Sequence, residues 1–299
     1  MAGNSREPGR SVTGRALAVL AAFDLGHPSL SLSELARRAG LPLATAHRLV
    51  AELESWGAVE RDADGAYQVG RRLWEIGMLW PAYARMRELA VPFMQDLYEA
   101  TRENVHVAVR VGFEALYLEK LTGHRAVPII SRTGSRLPMH ATGVGKALLA
   151  YGPADFLAAY VDRPLERPTP YTLVEPGRLA RDLAEVRERG YAVTLEEMTL
   201  GSCSVAMPVR EHGVAVAALG LVVHSVRADV DRLVPALRAA TAGLERRLAE
   251  TADDPYPGLV HTFPRVQPRR PGRVEPPRVE PPRAEPPRAE PPADSGQRK

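Results

Sequence analysis

Apolar residues recur at helical spacing through the first sixty positions. Val12, Ala16, Val19, Leu20 and Phe23 share one face of a predicted helix over residues 11–23, with Ser11 placed to cap it and Gly14 loosening its first turn. Ser31-x-x-Glu34 has capping-box spacing ahead of a stripe of Leu32, Leu35, Ala36 and Ala39, and Gly40 supplies the stop. Pro42 suits the first turn of another helix, whose stripe Ala46, Leu49, Val50 and Leu53 is spaced i, i+3, i+4, i+7 before Gly57 ends it. Residues 59–61 and 66–69 then pair as strands across a turn carrying Asp64-Gly65. Three helices and a hairpin in this order predict a winged helix-turn-helix.

Residues 71–101 continue as helix. Leu73, Ile76, Gly77 and Trp80 make a seam that the small first domain cannot cover, which implies a linker helix packed against a twin. Pro81 and Pro92 are expected to bend or break this stretch, and the following helix, roughly 84–101, turns Leu89, Phe93 and Leu97 inward. The pattern then shifts to period two. Val105, Val107 and Val109 alternate, as do Leu116 and Leu118, with Gly112 between them, and residues 126–132 read as a third strand. Helices are expected at about 143–151, 154–160 and 177–189, and strands at 191–195, 203–210 and 214–223, the last two joined by Glu211-His212-Gly213. A closing helix at about 229–250 buries Val230, Leu233, Leu237, Leu244 and Leu248. This is an α+β arrangement around an antiparallel sheet. The expected limits are 9–70 for the first domain, 71–83 for the linker, 84–251 for the second domain and 252–299 for a tail.

Composition alters the picture in three places. From Arg273 the chain reads "RVEPPRVEPPRAEPPRAEPP", whose Pro-Pro pairs forbid helix and whose charges keep it solvated; it is expected to be a disordered spacer, or a proline-rich docking ligand. The single cysteine, Cys203, cannot form an intramolecular disulfide, no run approaches the roughly 18 apolar residues of a membrane span, and residues 1–10 lack the apolar core of a secretory signal. A cytoplasmic protein with no membrane partner is therefore expected. The net charge of +3 does not by itself argue for nucleic acid, so any such case rests on where the charges sit.

They sit suggestively. With its stripe buried, the helix after Pro42 turns Leu43, Ala44, Thr45, His47, Arg48 and Ala51 outward. Small and polar side chains let a helix enter a major groove about 12 Å wide. Thr45 and His47 can reach base edges or phosphates, and Arg48 a guanine edge or a phosphate; Arg10, Arg15, Arg61, Arg71 and Arg72 are candidate phosphate contacts. The alternative is a winged helix that binds only protein. In the second half, "LPMHATGVGKALLA" leads through His140, Ala141 and Thr142 into a helix starting near Gly143, where unpaired N–H groups and glycines form an anion site or a tight turn without a ligand.

The chain resembles the IclR family of bacterial transcription regulators. The resemblance runs in order through "LSLSELARRAGLPLATAHRLVAELESWGAVER", "YQVGRRLWEIG", "SRTGSRLPMHATGVGKALLA", "VRERGYAVTLEE" and "SVAMPVR", over about residues 11–248. It implies a winged-helix DNA-binding domain, a linker helix, a GAF-like effector domain that senses a small molecule, and dimers or dimers of dimers on double-stranded operator DNA. The effector-site candidates it carries over are Met139, Ala141, Thr142, Gly143, Val144, Glu196, Cys203, Ser204, Gly220 and Val222. Three polar positions depart from the family pattern. Thr194 and Leu195 precede Glu196 and Glu197 where an acidic pair is common; the usual pocket cysteine falls at Ser204, with Cys203 turned to the opposite strand face; and Gly220 and Val222 stand for paired serines. A roomier, more apolar cavity and an effector larger than a two- or three-carbon acid, such as an aromatic acid or a lactone, are expected. At the recognition helix, Leu43 and Ala44 replace the usual basic or hydroxyl residues, which shifts base readout toward Thr45, His47 and Arg48.

Rival chemistry is thin. Cys203, His140, His212 and Glu196 could be imagined as a nucleophilic constellation, but nothing fixes their geometry and no G-x-S-x-G elbow is present. "GVGKA" lacks the first glycine of a phosphate loop, with His140 in its place, and Ala147 replaces Ser/Thr. His106, His124 and His140 lack metal-ligand spacing. No enzyme, metal or cofactor is expected; a ligand-sensing adaptor without DNA contact remains the second reading.

Overall fold

The computed structural model describes residues 11–77, 79–123 and 127–250. Arg10, His124, Ala126 and the repeat-bearing tail lie outside the described residues. The first region runs α1 (Val12–Leu20), β1 (Ser29–Leu30), α2 (Leu32–Ala39), α3 (Leu43–Trp56), β2 (Val59–Arg61) and β3 (Tyr67–Val69). Local chemistry sets its boundaries. Ser11 Oγ accepts from the Gly14 N–H at 3.0 Å, and Ser31 and Glu34 form the reciprocal capping box. Gly40 and Gly57 close α2 and α3 in the left-handed region, at φ 63° and 82°. Val19, Leu30, Leu35, Leu49, Val50, Val59 and Tyr67 enclose a small core.

Three details depart from the pattern. Val12 is exposed, since α1 begins there and its first turn projects beyond the core. Pro42 is the N-cap of α3, one position before the helix. The hairpin also gains a third strand: Ser29 pairs with Gln68 and Leu30 with Tyr67, giving the order β1-β3-β2. Two residues are too few to display an alternation, so β1 had no signal of its own.

The second region follows α4 (Arg71–Gly77) and runs α5 (Pro81–Thr101), β4 (Asn104–Val111), β5 (Glu114–Leu121), β6 (Arg136–Pro138), α6 (Gly143–Ala150), α7 (Ala154–Val161), α8 (Pro176–Arg189), β7 (Ala192–Leu195), β8 (Ser202–Glu211), β9 (Val214–His224) and α9 (Val230–Glu250). The expected helix start near residue 84 is corrected to Pro81. A proline at the first helical position loses a hydrogen bond that the helix would not have made, so it opens α5 rather than bending it. Pro92 lies within α5 without ending it.

The six strands form one antiparallel sheet in the order β6-β5-β4-β9-β8-β7. Its two faces differ in kind. One carries Val105, Val107, Val109, Val205, Met207, Leu219 and Leu221 against Met86, Met94, Leu237 and Leu244 of α5 and α9. The other carries Ala108, Ala206 and Ala218, and packs Val144, Ala147, Leu148, Leu179 and Leu183 of α6 and α8. Small side chains on that second face let α6 sit close. A Cβ added to Gly220 would lie 3.0 Å from Val144 Cγ1 and 3.1 Å from Ala206 Cβ. At the β8–β9 hairpin, His212 and Gly213 take φ 51° and 81°, the sign pattern of a type I′ turn.

The third strand expected at residues 126–132 is not formed by the described part of that segment; the sheet edge is β6, paired with Glu114–Leu116 of β5. Pro128 cannot donate to a ladder, and side chains hold the coil instead. Asn104 Nδ2 donates to Val127 O at 3.2 Å, and Lys120 Nζ to Ser131 O at 3.0 Å. His106 Nε2 lies 3.3 Å from Ser131 Oγ.

Candidate nucleic-acid interface and effector cavity

α3 buries Ala46, Leu49 and Val50 and presents the opposite side to solvent. Leu43, Ala44, His47, Arg48 and Ala51 are exposed, and Thr45 is half-buried at the edge. Among the described residues, no hydrogen bond or ion pair holds His47 or Arg48. The other candidate arginines are differently placed. Arg61 pairs with Glu54 at 3.2 Å, lies over the Tyr67 ring and donates to its hydroxyl. Arg71 is exposed beside Glu75 at 3.5 Å, and Arg72 stacks on Trp56, 4.4 Å from the ring centre. Arg15 is half-buried on α1, its Nε without a hydrogen-bond partner. Residues that look equivalent as sequence therefore divide into an open pair, His47 and Arg48, and Arg61, Arg71 and Arg72, already engaged within the fold.

The second-region candidates divide as well. A cavity of about 30 Å³ lies between the end of the sheet, the start of α6, the 129–131 coil and the loop after β7. Ala141, Thr142, Gly143, Ser204 and Val222 line it. Met139 and Val144 do not: both are buried in the α6 packing. Gly220 lies beneath Val144, where its missing side chain serves close approach. Cys203 packs on the α5–α9 face beside Val205 and Val223, and burial pushes its thiol pKa up. Glu196 takes φ 57° and accepts from Ser225 Oγ at 2.8 Å, outside the cavity. The period-two geometry of β8 puts Cys203 on the face opposite Ser204, as its spacing implied, and the turn at Glu196 carries that carboxylate away.

The inward carboxylate is Glu197. Fully buried Lys146 reaches Glu197 Oε1 at 2.6 Å and Asp182 Oδ2 at 2.9 Å, joining α6, α8 and the loop that carries the cavity residues Met198 and Thr199. The Leu173 N–H donates to Glu197 Oε2 at 3.3 Å, and Thr172 Oγ1 donates to Glu197 O at 2.7 Å. Desolvation holds the Glu197 pKa above its ordinary value against the pull of Lys146. Removing one member of such a buried set is costlier than the set's net worth, because it strands the remaining charge.

The cavity also carries polar side chains. His106, Tyr117, Ser131, Thr194, Thr199 and Ser202 contribute to it, beside Ile129, Ile130 and Leu137. The lining is mixed, and at about 30 Å³ the cavity is small where a roomy one was expected. His106 and Tyr117 meet edge to face, with ring centres 5.3 Å apart. Desolvation lowers the His106 pKa to about 3, with Lys120 adding to the shift, and raises that of Tyr117 against an opposing hydrogen bond with Thr142. Both are neutral near pH 7. A signal for His106 existed in the sequence: it lies out of phase with Val105, Val107 and Val109, and so on the opposite face, with Ala108. At the start of α6, Gly145 N–H donates to Thr142 Oγ1 at 3.2 Å and Lys146 N–H to Thr142 O at 2.8 Å. The N–H groups of Gly143 and Val144 have no partner inside the helix.

The imagined nucleophilic set is dispersed. His140 bonds Tyr160 Oη at 2.8 Å and Glu166 O at 2.7 Å on the α6 side, Cys203 lies on the other face, and His212 occupies the hairpin turn.

The comparisons agree with this two-part reading. Residues 12–63 match the IclR helix-turn-helix domain, and residues 83–246 match the bacterial transcriptional regulator IclR C-terminal domain. The chain belongs to the IclR family. It is a DNA-binding transcriptional regulator of that family, and its curated relatives are named as regulators. It is 32% identical over 221 residues to the HTH-type transcriptional regulator KipR of Bacillus subtilis (strain 168), covering 73% of this chain and 88% of that one. It is 34% identical over 218 residues to the HTH-type transcriptional regulator XynR of Escherichia coli (strain K12), covering 72% and 86%. Among solved structures, an IclR homologue from Microbacterium hydrocarbonoxydans complexed with 4-hydroxybenzoate is 34% identical, with a TM-score of 0.77 over 80% of this chain and 100% of that one. No helix among the described residues is long and apolar enough to cross a membrane.

Proposed function

We infer that this regulator's operator affinity is set by an aromatic carboxylate bound at the start of α6. The observation that carries the reading is the cavity itself, which adjoins Gly143 at the start of α6 and is flanked by apolar Ile129, Leu137 and Val222. The 4-hydroxybenzoate complex of the Microbacterium relative supports the ligand class. At about 30 Å³ the cavity is far below the ~300 Å³ of ordinary small-molecule pockets, so a ring enters only as the 129–131 coil moves outward. Binding then favours one arrangement of the domain over another by its differential affinity, and operator binding shifts with it.

On the DNA side, Thr45, His47 and Arg48 read the major groove, with Leu43 and Ala44 against the groove wall. Arg15 and Arg71 meet phosphates, Arg71 by exchanging its intramolecular partner, while Arg61 stays tied to Glu54 and Tyr67. Pairs of winged helices match half-sites one or more helical turns apart. Exposed Trp74, Ile76 and Leu79 around α4 supply the apolar surface for a second copy of the chain. A gel shift with the intergenic DNA upstream of the protein's own gene, with and without 4-hydroxybenzoate, tests both halves. Retardation that the acid changes in a dose-dependent way is the expected result. Retardation indifferent to aromatic acids removes the effector assignment, and no retardation leaves a ligand-sensing adaptor.

A further inference from the structure

An open cleft of about 440 Å³ lies between the C-terminal end of α3 and the start of α4, lined by Glu54, Trp56, Glu60, Arg71, Arg72 and Glu75. Its carboxylates are already engaged. Glu54 pairs with Arg61 at 3.2 Å, Glu75 with Arg71 at 3.5 Å, and Glu60 Oε1 accepts from the Arg71 N–H at 3.1 Å. The cleft is thus a junction between two helices. Trp56, the last residue of α3, is 44% exposed, yet the Arg72 guanidinium lies over its ring, 4.4 Å from the centre. Arg72 Nη1 also donates to Trp56 O at 3.5 Å. The backbone between them is drawn tight: the Gly70 N–H donates to Ala58 O at 2.8 Å, and a Cβ on Gly70 would lie 2.2 Å from Gly57 O. Any side chain at position 70 would push α4 away from the end of α3.

We propose that the Trp56–Arg72 stack, with the Glu60–Arg71 contact, latches α4 to α3 at a fixed angle, and that this angle selects the separation between two DNA half-sites. This rests on the pairing of copies through α4 inferred above, and adds the specificity determinant. If α4 carries the contact between copies, the joint at Trp56 and Arg72 is the pivot of each recognition helix. The fourteen residues of α3 span about 20 Å, so a rotation of about 10° at Trp56 swings its Leu43 end by about 3.5 Å. That is about the 3.4 Å rise of one base pair. A loose joint accepts neighbouring spacings, whereas a latched one reaches them only by breaking the stack in each copy. Arg72 is therefore a positioning residue, its guanidinium occupied by the ring rather than by a phosphate. Trp56 lies eight residues beyond Arg48, about 12 Å along the helix, so substituting it leaves the base-reading side chains in place.

The test begins by selecting, from a random-sequence duplex pool, the DNA that the full wild-type chain binds. The paired half-sites recovered are resynthesised with spacers one and two base pairs longer and shorter, beside a single half-site, and compared in gel shifts. Wild type is expected to prefer one spacing over its one-base-pair neighbours by at least about fivefold, the worth of two exposed cation–π contacts. Trp56→Ala and Arg72→Ala are each expected to bring that preference to within about twofold, with single-half-site affinity and the salt slope unchanged. Trp56→Tyr, which keeps a ring under the guanidinium, is expected to retain the preference. A wild type indifferent to spacing, or a preference that survives in Trp56→Ala, overturns the proposal. So does an Arg72→Ala that weakens every DNA alike with a salt slope shallower by about one, which is the behaviour of a phosphate contact. A Trp56→Ala that loses all DNA binding equally, together with its unfolding midpoint, marks a stability contact and overturns it too. If wild type recovers only isolated half-sites, the pairing of copies falls and the latch with it; paired sites with unaltered variants remove the latch alone.

Discussion

Helices α3 and α6 both begin one residue after a cap and carry small side chains in the first turn, Ala44 and Thr45 in α3, Gly143 and Gly145 in α6. α3 buries three of its residues and leaves its outer side to solvent, whereas all eight residues of α6 are buried. A helix with a wet side separates structural from functional positions by periodicity alone. In α6, walled by the sheet and α8, the same small residues serve packing at one position and the cavity at the next. Gly143 lines the cavity while Val144 presses onto Gly220. Substitutions in α3's outer face should thus cost binding, and substitutions in α6 should cost folding.

Lys146→Ala strikes that contrast hardest. It leaves buried Glu197 and half-buried Asp182 without their cation, and about 3–5 kcal/mol of stability should be lost in urea unfolding. A loss under about 1 kcal/mol would mean that water reaches the site and that α6 is not sealed. Arg48→Ala should leave the unfolding midpoint unchanged and weaken operator binding by about 1–3 kcal/mol per half-site in a gel shift, with effector affinity intact. An equal fall in stability would erase the distinction between the two helices.

The cavity adds a pH signature. His106 is lowered from 6.5 to about 3 in the fold, so the unfolded chain binds more protons between those values. Its contribution is therefore present above pH 6.5 and lost as pH falls toward 3, with a slope of up to about 1.4 kcal/mol per pH unit. Comparing wild type with His106→Gln across pH 4–7 should isolate that slope; identical profiles would place a hydrated imidazole there. The smallest effect belongs to Arg61→Ala. Because Arg61 is already tied to Glu54 and Tyr67, operator affinity should fall by less than about 1 kcal/mol, with the salt dependence of binding nearly unchanged. A salt slope shallower by about one would restore it as a phosphate contact.

Capping, glycine stops and heptad-like spacing are short-range, and they made the winged helix, the sheet strands other than β1 and β6, and the closing helix readable from residue order. His47 and Arg48 were legible as an exposed face for the same reason. Chain order could not say which of Glu196 and Glu197 turns inward, because a single left-handed residue decides it. Nor could it assemble His106, Tyr117 and Ser131, or pair Lys146 with carboxylates 36 and 51 positions away. The alternation of one strand says which residues share a face. Which face meets which helix, and what is trapped between them, depends on contacts across the chain that only the folded sheet brings within reach.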